Sequence, residues 1–135
     1  MVNTISLFIK RYIMYKLHEA CRNGCIQLVK KYISHKKYNV NEKDNDGSTP
    51  FFMACSHGNK EIAELLIKTD GFNSLNEKNN SENTPFSWAC QNDHKEIVEF
   101  LIKIYGFNSL NEKDNYGKNF HVIQYIPSNN SLYGS

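Results

Sequence analysis

TPFFMACSHGNKEIAELLIKTDGFNSLNEKNNSEN, residues 49–83, is followed without a gap by TPFSWACQNDHKEIVEFLIKIYGFNSLNEKDNYGK, residues 84–118, and the two stretches are identical at 21 of 35 positions. Self-similarity at a fixed period of this size means that the chain is built from one small unit stacked on itself. Residues 15–48, YKLHEACRNGCIQLVKKYISHKKYNVNEKDNDGS, fit the same template with one residue fewer in the loop, and NFHVIQYI, residues 119–126, begins a fourth unit. Outside the repeats lie residues 1–14 and a tail after Pro127 that has no periodicity.

Each unit reads as two helices and a long turn. Thr49-Pro50 and Thr84-Pro85 set an N-capping hydroxyl before a proline at the first helical position, where its missing N–H costs nothing. Apolar residues then follow at i, i+3, i+4: Phe51, Ala54, Cys55 and Phe86, Ala89, Cys90, with Leu17, Ala20, Cys21 in the first unit. Gly24 and Gly58 stand where the chain reverses, with Asp93 in that place in the third unit. A second helix buries Ile62, Leu65, Leu66 and Ile97, Phe100, Leu101, with Leu28 and Ile33 in the first unit, and turns Lys60, Glu61, Glu64 and their counterparts outward. The segments 35–48, 70–83 and 106–118 are rich in Asn, Asp and Gly and read as turns. These signals predict an all-α fold with inner helices at 17–23, 50–57 and 85–92 and outer helices at 26–34, 60–69 and 95–104. Ile5, Phe8, Ile9, Tyr12 and Ile13 follow helical spacing and predict a further helix at 4–13 that covers the first unit, as a cap or the remnant of an earlier repeat.

A helix-turn-helix unit of this length that opens on T-P-L-H-x-A resembles the ankyrin repeat. The resemblance is carried by Leu17-His18-Glu19-Ala20, by Thr49-Pro50 with Ala54, by Thr84-Pro85 with Ala89, and by the loop ends 40–43, 75–78 and 110–113. The chain departs from the pattern where Phe52 and Ser87 replace the histidine, where Tyr15-Lys16 replaces Thr-Pro, and where Glu82 replaces the loop glycine seen at 47 and 117. The resemblance implies an ankyrin-repeat solenoid with repeats at 15–48, 49–83 and 84–118, flanked by an N-terminal capping helix or remnant repeat at 1–14 and a partial repeat and tail at 119–135. His18 matches the motif histidine, a structural hydrogen-bonding residue in that family.

Chemistry other than binding finds little support in the residue pattern. Cys21, Cys55 and Cys90 recur at the repeat period, and inner helices about 8–10 Å apart are too distant for disulfides, which need Cα atoms within about 7 Å. Cys21, Cys25 and His18 form a local cluster that reads as packing, because zinc would need four converging ligands. No metal and no cofactor are expected. His57 and His94 lie near Cys55 and Cys90, but nothing orients a base against a nucleophile, so no catalytic residues are assigned. The net charge of +2 is too small for a phosphate-tracking surface, and nucleic acid is not an expected partner. No apolar run reaches the roughly 18 residues of a bilayer span, so no membrane is expected either, and the absence of a signal segment predicts an intracellular, cytoplasmic protein, expected to be monomeric.

The function implied by the resemblance is non-catalytic binding of another protein, as a scaffold or adaptor. The family binds through the inner-helix face and loop tips, which here present Glu19, Arg22, Met53, Ser56, Trp88 and Gln91 on the helices and Asn45, Asp46, Ser81 and Tyr116 on the loops. Trp88 serves either the core or the interface. The alternative is a regulatory or targeting fragment of a larger multi-domain enzyme. Asn41, Asn76 and Asn111 match the loop asparagine that asparaginyl hydroxylases modify in this family.

Overall fold

Three helix pairs follow one another along the described residues. The computed structural model describes residues 2–105, with the side chains of residues 2, 3, 10, 11, 14 and 105 left aside. Its helices are α1 (Val2–Asn23), α2 (Ile26–Ile33), α3 (Pro50–Ser56), α4 (Lys60–Ile67), α5 (Pro85–Gln91) and α6 (Lys95–Tyr105). The layers are an inner row of α1, α3 and α5 and an outer row of α2, α4 and α6, each helix packed on its own partner and on its neighbour in the row. Every expected helix in this region is present, with ends within two residues of expectation except at α1. The loop at 106–118, the partial fourth unit and the tail lie outside the described residues, as do Asn111 and Tyr116.

The predicted caps form. Thr49 Oγ1 accepts from the backbone N–H of Phe52 at 3.1 Å, and Thr84 Oγ1 accepts from that of Ser87 at 3.1 Å. Ser87 reciprocates, its Oγ accepting from the Thr84 N–H at 2.9 Å to complete a capping box. At the other end of each inner helix the chain turns back through a left-handed residue. In the second unit Asn59 N–H donates to the Ala54 carbonyl and Gly58 N–H to that of Cys55, with Gly58 at φ +73°, the bond pattern of a Schellman cap. Asp93 closes the third unit the same way at φ +57°, a conformation that costs an L-residue other than glycine.

Between the rows lies a continuous core of Leu17, Ala20, Cys21, Val29, Phe51, Ala54, Cys55, Ile62, Ala63, Leu66, Phe86, Ala89, Ile97, Val98, Leu101 and Ile102. Leu65, Phe100 and Ile33 are only half-buried beside it. Leu28, expected inside, is 40% exposed, while its equivalents Ile62 and Ile97 are 2% and 0% exposed. It belongs to the first unit, which has no earlier outer helix among the described residues to cover that position, so Val29 supplies the core contact of α2 instead.

The N-terminus also departs from expectation. Residues 4–13 do not make a separate helix laid over the first unit; they run unbroken into the inner helix, giving the 22-residue α1. In the later units Thr-Pro marks the start, because proline disfavours helix in the residue before it and lacks an N–H to continue the ladder. Tyr15-Lys16 imposes neither restriction. The apolar residues Ile5, Phe8, Ile9 and Tyr12 are consequently left exposed.

Candidate functional site

Loop and inner helix are joined differently in each unit, and those joints position the candidate residues. In the first unit His18 is 4% exposed, and its Nε2 lies 2.7 Å from the Glu42 carbonyl oxygen and 3.0 Å from that of Ser48. Both partners only accept, so Nε2 carries the proton and donates to them. One turn earlier the Tyr15 hydroxyl donates to Asn45 Oδ1 at 2.8 Å. The loop is itself tied by hydrogen bonds: Asp44 Oδ1 accepts from the N–H groups of Asp46 and Ser48, and Asp44 N–H returns to the Ser48 carbonyl.

Adjacent loops are cross-linked. Asn80 N–H donates to the Asp46 carbonyl at 2.9 Å, and Asn80 Nδ2 to that of Asn45 at 3.0 Å. Gly47 permits this approach twice over, since its φ is +77° and a Cβ would stand 2.5 Å from Asn80 Oδ1 and 2.8 Å from Asn80 N. At the same place in the next loop Glu82 takes φ +66°. Asn79 repeats the part of Asp44, its Oδ1 accepting from Ser81 and Asn83.

These joints leave a concavity of about 270 Å³ between α1, α3 and the first loop. It brings together five of the expected binding residues, Glu19, Arg22, Asn45, Asp46 and Met53, and adds Tyr15 and Asp44, which sequence reasoning missed. The signal for Tyr15 was available: it puts a hydroxyl where the later units have threonine. Glu19, Arg22 and Asp46 are exposed and Met53 is half-buried. Among the described residues the ion pairs within 4 Å use lysines and glutamates of the loops and outer helices, such as Lys43 with Glu77 at 3.1 Å, and none engages Glu19, Arg22, Asp44 or Asp46.

The remaining expected residues lie elsewhere. Ser56 is buried, and its Oγ donates to the Met53 carbonyl at 3.1 Å, so it offers a partner little. Trp88, on α5, is half-buried, its ring 6.1 Å from that of Phe52, which is 4% exposed in the place His18 holds in the first unit. Part of the indole therefore packs and part remains open. Gln91 is exposed and donates to Asn83 Oδ1 at 3.2 Å, and Ser81 is exposed at the second loop tip. Asn41 is held at both ends of its amide: Nδ2 donates to the Gly71 carbonyl at 2.7 Å, while Oδ1 accepts from Asn73 N–H and Ser74 Oγ. Asn76 is exposed.

The four cysteines are free thiols. Burial pushes the thiol pKa values of Cys21 and Cys90 up to about 12, and burial with help from neighbouring Cys21 raises that of Cys55 well above the ordinary thiol value. A thiol so raised is not the thiolate that attacks or binds metal. Among the described residues no group of three or more His, Cys, Asp or Glu could hold a metal ion.

The family model described as ankyrin repeats, in three copies, matches residues 17–114. Among curated proteins, human ankyrin repeat domain-containing protein 7 is 38% identical over 53 residues, which is 39% of this chain and 21% of that protein. Mouse ankyrin repeat domain-containing protein 13C is 37% identical over 54 residues, 40% of this chain and 10% of that protein. The matches thus span about a fifth and a tenth of these relatives' lengths.

Proposed function

The chain belongs to the ankyrin-repeat family, and we propose that it is a non-catalytic scaffold or adaptor that binds another protein through its inner-helix face and loop tips. Ankyrin repeats are generally protein–protein interaction modules. The observation that carries this reading is the concavity in which Glu19, Arg22, Met53 and Asp46 converge from two inner helices and a cross-linked loop. Its charged groups are not consumed by ion pairs within the described residues, and a floor tied by hydrogen bonds lowers the entropy cost of seating a partner. The half-open indole of Trp88, one unit on, extends the surface with a side chain common among binding hot spots. The raised thiols favour a packing role over a nucleophilic one, and buried free cysteines suit a monomer working in the reducing interior of the cell.

The test is a paired affinity capture from the protein's own cells, quantified by mass spectrometry. Wild type is set against Glu19→Ala/Met53→Ala/Trp88→Ala and against Lys68→Ala, an exposed position beyond α4. Partners held by wild type and Lys68→Ala but lost by the triple variant support the proposal. Equal capture by all three would place binding on another surface. Hydroxylation is a further reading for Asn41, Asn76 and Asn111, with exposed Asn76 the readiest target among the described residues because the Asn41 amide is bonded into the next loop. A mass gain of one oxygen on the peptide that contains it checks this.

A further inference from the structure

The first half of α1 is not explained by a repeat that binds a protein. Ile5, Leu7, Phe8, Ile9 and Tyr12 are 64, 60, 75, 52 and 61% exposed, five large apolar side chains within eight positions of a helix that no other described helix covers there. In the same unit Leu28 is exposed as well. Ile5, Phe8, Ile9 and Tyr12 lie at i, i+3, i+4, i+7, a single stripe, and Leu7 widens the apolar surface beyond it.

Charge decides what covers this surface. Residues 1–18 hold three cations, Lys10, Arg11 and Lys16, and no acidic residue precedes Glu19. Pairing the segment with a second copy would gather six cations without an anion among them, which like-charge repulsion opposes. An anionic lipid surface answers both properties at once, taking the apolar side chains between its headgroups and attracting each cation. The Lys16 ammonium sits 4.9 Å from the centre of the Tyr12 ring, an aromatic and a cation together at the stripe's edge, as side chains at a membrane–water boundary are arranged. A bilayer interface also adapts to the off-stripe Leu7, whereas a groove cut for one helix face does not. No described helix is long and apolar enough to cross a membrane, and lying on a surface requires no crossing.

We propose that the N-terminal half of α1 docks the protein on an anionic membrane surface, its apolar stripe inserted at the headgroup level and the positive charge of the segment drawn to the lipid charge. The expectation of no membrane, drawn from the lack of a spanning run, does not reach this mode of binding. The experiment is co-sedimentation of the full chain with vesicles of phosphatidylcholine alone and with vesicles that also contain phosphatidylserine. Binding to the anionic vesicles is expected to exceed binding to the neutral ones by about tenfold or more and to weaken as salt is added. Phe8→Asp and, independently, Ile5→Asp are expected to abolish it with the melting midpoint retained, since both residues are exposed. Lys10→Glu/Arg11→Glu is expected to remove the preference for anionic lipid. Absence of binding to either vesicle, or equal binding to both, overturns the proposal. So does a dimer in sedimentation velocity that Phe8→Asp dissolves, because a second copy would then be the cover.

Discussion

The first and second repeats share their architecture and differ in how the inner helix is fastened to its loop. In the first, His18 donates to two loop carbonyls and Gly47 carries the left-handed turn. In the second, Phe52 replaces the hydrogen-bonding ring with a buried aromatic against Trp88, and Glu82 holds the left-handed position in glycine's stead. One joint is polar and relaxed; the other is apolar and strained. The difference teaches that the apolar column of Leu17, Phe51 and Phe86 with its alanines and cysteines defines the stack, whereas the joints tune stability and shape the surface each unit presents.

That contrast can be broken at the first loop. Gly47→Ala is expected to destabilise by about 3 kcal/mol, since it adds a left-handed penalty to a Cβ overlapping the backbone and side chain of Asn80. Chemical denaturation would measure it, and a loss under about 1 kcal/mol would mean that the loops are not tightly joined. Importing the second unit's residue, His18→Phe, removes the Nε2–H from two carbonyls. It should cost about 2 kcal/mol. Ser48 keeps its bond from Asp44 N–H, which limits the damage.

The reverse exchange sharpens the comparison. Glu82→Gly should stabilise by about 1 kcal/mol or slightly less, because relief of the left-handed strain outweighs the added chain entropy of glycine. The exposed Lys78–Glu82 pair that would be lost spans 3.6 Å and is worth only a few tenths. A destabilised Glu82→Gly protein in the same denaturation series would show that the pair, rather than the backbone, governs this turn.

The repeat itself was legible because its signals are local: a threonine before a proline, apolar residues at helical spacing, and turn residues between them. Misreadings arose where a residue's environment depends on which unit stands beside it. Leu28 has the same helical spacing as Ile62, yet among the described residues only the latter has a preceding outer helix to cover it. The unbroken α1 followed from the missing Thr-Pro at 15–16, a departure visible in the sequence whose consequence is the loss of a stop. Site residues were legible as the positions that vary between units, and the structure gathers Glu19, Arg22, Asp46 and Met53 into one concavity. Burial of Ser56 and the two-ended bonding of Asn41 depend on neighbours that spacing does not reveal.

Binding of a protein by the inner-helix face can be measured directly. Its most direct measurement is calorimetric titration of an isolated partner against wild type and Trp88→Ala, with the melting midpoint of each recorded alongside. Loss of a hot-spot aromatic should weaken binding by about 2 kcal/mol, roughly thirtyfold. Because the indole is only half-buried against Phe52, stability should fall by less than the roughly 3–5 kcal/mol of a fully buried aromatic. Full affinity in Trp88→Ala, with the stability of a deleted core residue, would contradict the account and return Trp88 to the core.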